Sequence, residues 1–198
     1  DKIGLSFSAS LRSILRQDPD VLLIGEIRDE ETADIAVKFS LTGHLVFSTV
    51  HTNDAAGAIT RLLDMGVENY LISSAILGVL AQRLVRMICR NCIKPTIIAP
   101  ALMAEFDVRG KDDTKAFHGK GCKECSQTGF RGRTGIYELL VIDDEIRQLI
   151  LNKATSQLIR EAAHKKGMVT LREDGWKKVA KGITTVEEVL RVTLNEQT

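Results

Sequence analysis

Asp18 to Asp54, DPDVLLIGEIRDEETADIAVKFSLTGHLVFSTVHTND, decides the fold. Val21 to Gly25 is a short apolar run after an Asp-Pro-Asp turn, the pattern of a buried strand. It ends in Glu26. Residues 30–41 place Ala33, Ala36, Val37 and Leu41 at helical spacing, with charges on the other side. Thr42-Gly43 stops that helix. Leu45 to Val50 is a second apolar run, ending at His51. Two strands joined by a crossover helix lie parallel in one sheet, so their carboxyl ends share an edge. Glu26 and His51 are thus expected on one rim, where open α/β sheets bind ligands. His44 begins the second strand and belongs at the far edge, where it orients backbone.

Outside this stretch the chain has ordinary soluble composition. Its 198 residues are 44% hydrophobic and 27% charged, enough for one domain, or one domain with a small second one. A net charge of +1 gives no reason to expect a nucleic-acid partner. No apolar run reaches the roughly 18 residues that span a membrane, and no secretory signal opens the chain. The start, DKIGLSF, lacks a Met and reads as a cut from a longer polypeptide. Leu5, Phe7, Leu11, Ile14 and Leu15 mark a first helix from about residue 8. Its Arg12 and Arg16 share a face that is either solvated or an anion or subunit contact.

Asn53-Asp54 caps a helix over about 55–64, ended by Gly66. A long helical pattern over 68–88 follows, through Leu71, Ile72, Ala75, Ile76, Val79, Leu80, Leu84, Val85 and Ile88. Cys89-Arg-Asn-Cys92 and Cys122-Lys-Glu-Cys125 come next, separated by 29 residues. Two C-x2-C pairs are a structural zinc signature, since thiolates three apart in a tight turn face one tetrahedral ion. Four thiolates leave no open position for catalysis. A redox dithiol is the rival, and it has no use for a second pair. Pairs of this kind in a chain without a leader indicate a cytoplasmic protein. The segment 93–121, with Pro95, Pro100 and the polar run RGKDDTK, reads as a looped-out insertion. Thr128 to Gly135 carries glycines at close spacing, read as a turn shaping the metal knuckle. A strand over 136–142 and helices over about 143–152, 155–166, 170–181 and 185–194 complete the chain, with Trp176 as a packing anchor and no evident chemistry.

Each candidate residue has a plainer alternative. Glu26 is either the acid closing a nucleotidase's second sheet motif, acting on Mg²⁺ or the attacking water, or a strand-end acid paired with Arg28. Ser48 and Thr49 offer hydroxyls either to a phosphate or to a backbone carbonyl. No G-x4-G-K-[S/T] phosphate loop occurs in the sequence. A nucleotidase reading therefore places that loop before Asp1.

Taken together, RQDPD at 16–20, VLLIGEIRD at 21–29, TGHLVFSTVHTND at 42–54, AQRLVR at 81–86, the tetracysteine pattern, GRTGIYELL at 132–140 and GITTVEEVLRVT at 182–193 resemble one family. It is the bacterial secretion ATPases of type II secretion and type IV pilus assembly, and the likeness covers essentially the whole chain. The resemblance implies an α/β fold: the C-terminal part of a RecA-like P-loop NTPase domain, a tetracysteine zinc knuckle and a small C-terminal helical domain. In chain order it implies 1–88 as ATPase core with second sheet motif and histidine box, 89–135 as zinc-binding subdomain, and 136–198 as strand and helical domain. It places the catalytic glutamate on Glu26 and a γ-phosphate-sensing histidine on His51. Nucleotide contacts fall on His44, Thr49 and Arg28, and zinc ligands on Cys89, Cys92, Cys122 and Cys125. It implies ATP, Mg²⁺ and structural Zn²⁺, a homo-hexamer, and inner-membrane platform proteins as partners of a cytoplasmic, membrane-peripheral motor. The knuckle favours an extension or secretion ATPase over the retraction members. Without its phosphate loop the isolated chain is expected to hydrolyse little ATP. The alternative is a non-catalytic, zinc-stapled interaction module.

Overall fold

The computed structural model describes residues 7–98 and 115–193. Leu5, Pro100 and all of the polar run but Lys115 lie outside the described residues. The chain divides into two compact units: residues 1–79 with 140–167, and residues 80–139 with 168–198. This division follows different lines from the three consecutive segments expected from the sequence.

The first unit is built on the expected βαβ arrangement. Helix α1 (Phe7–Leu15) is followed by β1 (Val21–Ile24), α2 (Glu30–Leu41) and β2 (Leu45–Ser48). The strands pair in parallel, Val21 beside Leu45 through Ile24 beside Ser48. Asp29 caps α2 by accepting the Thr32 N–H at 2.8 Å, and Gly43, at φ 101°, closes it. Leu22 and Ile24 on one face of the sheet are buried with Ala33, Ala36, Val37 and Phe39 of α2. The other face is open: Leu23 is 76% exposed and Phe47 53%, with Val21 and Leu45 beside them. Helix α3 (Ala55–Asp64) and the short α4 (Asn69–Ala75) follow. Helices α5 (Asp144–Leu151) and α6 (Ser156–Lys165) return to them, α4 packing on α5 and α3 on α6. Ile59, Ile72, Ile146, Ile150 and Ile159 form their core. Side chains cap each turn-in: Asp143 for α5 and Thr155 for α6.

The expected helix over 68–88 is corrected. Only 69–75 is helical, and Gly78–Ile88 is the long strand β3. Ala81 and Val85 are buried on β3, while Leu80 and Leu84 face outward. A spacing of four fits both a helix and alternate pairs along a strand, so periodicity could not separate them. Gln82, Arg83 and Arg86 therefore lie within a strand and not at a helix end.

The second unit pairs most of β3 with β6 (Phe130–Val141). Strand β6 begins six residues before the expected one and absorbs most of the glycine-rich run. Gly129, just before β6, and Gly132, within it, keep left-handed φ of 77° and 78°, so the run turns at the strand's entry and again inside it. The supposed looped-out segment has ordered arms: β4 (Ile93–Ile97) and β5 (Lys115–Gly119) form an antiparallel ladder, Ile93 beside Gly119. Helix α7 (Leu171–Ala180) packs on α8 (Val186–Thr193) and on β5. Leu171, Val179 and Val189 are fully buried there, and Trp176 nearly so. Glu188, 3% exposed, accepts bonds from the Arg86 backbone N–H at 2.9 Å, the Arg86 guanidinium at 2.7 Å and Arg191 at 3.0 Å. Burial raises the Glu188 pKa, but these donors outweigh it and bring it to about 2.

Candidate functional site

The parallel pairing runs past the strand ends. The Ile27 N–H donates to the Thr49 carbonyl at 2.9 Å, and the Thr49 hydroxyl donates to the Gly25 carbonyl at 2.7 Å. These two bonds lock the loops after β1 and β2 edge to edge. They bring His51 Nε2 to 2.9 Å from Glu26 Oε2, across 25 residues of sequence. The other carboxylate oxygen is paired with Arg28. Arg28 first and His51 second hold the Glu26 carboxyl below the usual carboxylate range. His51 is 87% exposed and Glu26 29%, so the pair opens to solvent. A carboxylate and an imidazole in contact can take up and pass on a proton, or hold a water between them and a ligand.

The remaining expected residues divide. Arg28 joins the rim. Thr49 sits on it, with its hydroxyl satisfied by a backbone carbonyl, the plainer of the two readings. His44 lies at the opposite end of β2, stacked on Phe39 at 3.9 Å, with Nδ1 2.9 Å from the Thr42 hydroxyl. The structure does not bring His44 to the Glu26–His51 pair. The Ser48 hydroxyl is buried and has no hydrogen-bond partner among the described residues. Beyond His51, Thr52 donates to the Asp54 carbonyl at 3.0 Å, and Asp54 caps α3 through the Gly57 N–H at 2.6 Å. The second Asp54 oxygen is ion-paired with Arg160 of α6. Sequence reasoning missed Arg160. A single arginine on an amphipathic helix carries no mark of a partner 106 residues away.

The four cysteines converge in the second unit. Their sulfurs all lie within 4.8 Å of one another, with Cys89–Cys122 at 3.8 Å, Cys92–Cys125 at 3.9 Å and Cys122–Cys125 at 3.7 Å. A tetrahedral ion with metal–sulfur bonds of about 2.3 Å requires sulfur–sulfur edges of about 3.8 Å. The cluster thus fits a metal ion, and the spacings are far beyond the ~2 Å of a disulfide. Burial opposes ionisation at Cys125. The Cys122 and Gly129 N–H groups, each 3.2 Å from its sulfur, outweigh that and bring its pKa to about 6. Burial pushes Cys92 up to about 11. Gly119 and Gly129 meet so closely that a Cβ on Gly119 would fall 2.0 Å from the Gly129 carbonyl oxygen. Glycine is required there for the knuckle to close against β5.

Parallel strands with a candidate site at their carboxyl ends define an α/β protein. The crystal structure of the pilus retraction motor PilT with bound ADP has the same fold, with a TM-score of 0.64 at 27% identity over 94% of this chain and 43% of that one. The chain belongs to the type II/IV secretion system protein family, whose model matches residues 1–191. It is 55% identical to type II secretion system protein E of Pseudomonas aeruginosa over 98% of its own length and 39% of that protein's. It is 52% identical to the type IV pilus assembly ATPase PilB of Thermus thermophilus, over 96% of this chain and 22% of that protein. The chain thus spans well under half of these relatives.

Proposed function

We propose that this chain forms part of an ATP-hydrolysing motor of type II secretion or type IV pilus assembly. The carrying observation is the contact between Glu26 and His51 on the rim shared by β1 and β2, in a chain of this family. Glu26 would polarise the water that attacks the γ-phosphate, or hold Mg²⁺ through a water. His51 senses the phosphate through its contact with Glu26 and passes its state to the loop that enters α3. Arg28 competes with the water for Glu26, so a phosphate that draws Arg28 away frees the carboxylate. Thr49 acts by fixing the rim, and His44 by setting the start of β2. Mg²⁺ bound with the nucleotide neutralises charge on the phosphates. Cys89, Cys92, Cys122 and Cys125 hold one structural Zn²⁺. The motor works in the cytoplasm as a homo-hexamer against inner-membrane platform proteins. The phosphate-cradling loop comes from residues outside this sequence, so the 198 residues alone turn over little ATP.

Glu26→Gln in the complete natural polypeptide tests the reading. It removes the carboxylate with little change in shape and is expected to lower ATP turnover about 100-fold or more, while nucleotide binding persists. Turnover and secretion that both survive would leave a non-catalytic, zinc-stapled interaction module as the better account. Elemental analysis of the same preparation is expected to give one zinc per chain. Metal far below one equivalent, with four reactive thiols, overturns the zinc assignment.

A further inference from the structure

We infer that Arg160 on α6 is a positioning residue for His51, acting through Asp54. The inference rests on the proposed role of the Glu26–His51 pair. The loop from Thr49 to Asp54 is fastened at two ends. At Thr49 it is bonded to Gly25 and Ile27, which aligns it with the loop after β1. At Asp54 it is fastened to two helices at once, by the Gly57 N–H of α3 and the guanidinium of Arg160. His51 stands between these anchors, and its own side chain is almost fully exposed. Packing therefore does not hold the imidazole in place; its contact with Glu26 and the loop's backbone do. The Asp54 side chain is only 7% exposed, and Arg160 is the cation that compensates its charge. A carboxylate this buried is not left uncompensated, so the loop end follows Arg160 wherever α6 goes. The Thr52 hydroxyl, bonded to the Asp54 carbonyl, stiffens the residues between Asp54 and His51. Helix α6 thus has a direct route to the imidazole, although it contributes no atom to the rim.

The test uses Arg160→Gln, Arg160→Lys and Asp54→Asn in the complete natural polypeptide. Asn retains the helix cap and removes the charge. Misplacing a reacting group by about an ångström costs on the order of tenfold to a hundredfold in rate. Arg160→Gln and Asp54→Asn are each expected to lower kcat about tenfold or more, with KM for ATP within about twofold. Arg160→Lys should restore part of the loss. The double variant should be no worse than either single one, because both remove the same link. Hydrogen exchange should quicken at residues 50–54 in both variants and stay unchanged in α8. An unchanged kcat, losses that multiply, or unaltered exchange at 50–54 overturns the inference. If Arg160→Gln fails to fold, Arg160→Lys and Asp54→Asn decide. Glu26→Gln runs alongside. Its retained turnover would defeat the proposed function, whereas its inactivity beside a fully active Arg160→Gln defeats the positioning role alone.

Discussion

Glu26 and Glu188 are two carboxylates that the fold uses in opposite ways. Glu26 is at the surface, with one oxygen given to Arg28 and the other to His51, and both contacts can be exchanged for a ligand. Glu188 is sealed in, and four donors from Arg86 and Arg191 converge on it. Removing its charge strands two arginines, so Glu188→Gln is expected to lower stability by about 3 kcal/mol in urea unfolding at neutral pH. The folded pKa of about 2 lies below the ordinary value of 4.5. Its contribution is therefore fully present above about 4.5 and is lost as pH falls toward 2. Wild type should lose stability across that window, and Glu188→Gln should lose less. Neither the depth of Glu188 nor its partners were legible in the sequence, since an acid in VEEVLRVT reads as an exposed helical residue. The Glu26–His51 contact was legible, because parallel pairing alone brings two strand ends together.

The elements that came through clearly are those with caps at both ends. Helices α2, α3, α5 and α6 begin at Asp29, Asp54, Asp143 and Thr155, and each side chain accepts a bond from the first turn. Strand β3 did not come through, because its buried positions four apart imitate a helix. The hairpin arms β4 and β5 were hidden by Pro95 and by the length of the segment joining them. Gly175, inside α7, shows what a helical glycine can mean. In an exposed helix Gly→Ala gains about 1 kcal/mol. Here the added methyl would lie 2.4 Å from Cγ1 of Val189, which is fully buried on α8. Gly175→Ala is therefore expected to destabilise the protein by about 1–2 kcal/mol, the overpacking outweighing the helical gain. An unchanged or raised unfolding midpoint would mean that α8 yields at no cost.

Across the whole molecule, a parallel two-stranded sheet with one bare face is unusual, because such sheets are covered on both sides. Val21, Leu23, Leu45 and Phe47 make that face. Replacing Leu23 with Lys and Phe47 with Glu in the 198-residue chain should reduce self-association in sedimentation runs without lowering its melting temperature. On the proposed function, the same pair in the complete natural polypeptide should cut ATP turnover, since there the face is expected to be covered. The two units also differ in what they carry: the rim lies in one, while the cysteine cluster and α7 lie in the other. Trp176 on α7 is the only indole in the chain, so fluorescence emission follows the unfolding of a single unit, whereas circular dichroism sums over both. With a metal on the four thiolates, as proposed, a chelator that removes it should move the emission transition and leave a second, metal-blind transition in the dichroism, giving each half of the protein its own spectroscopic clock.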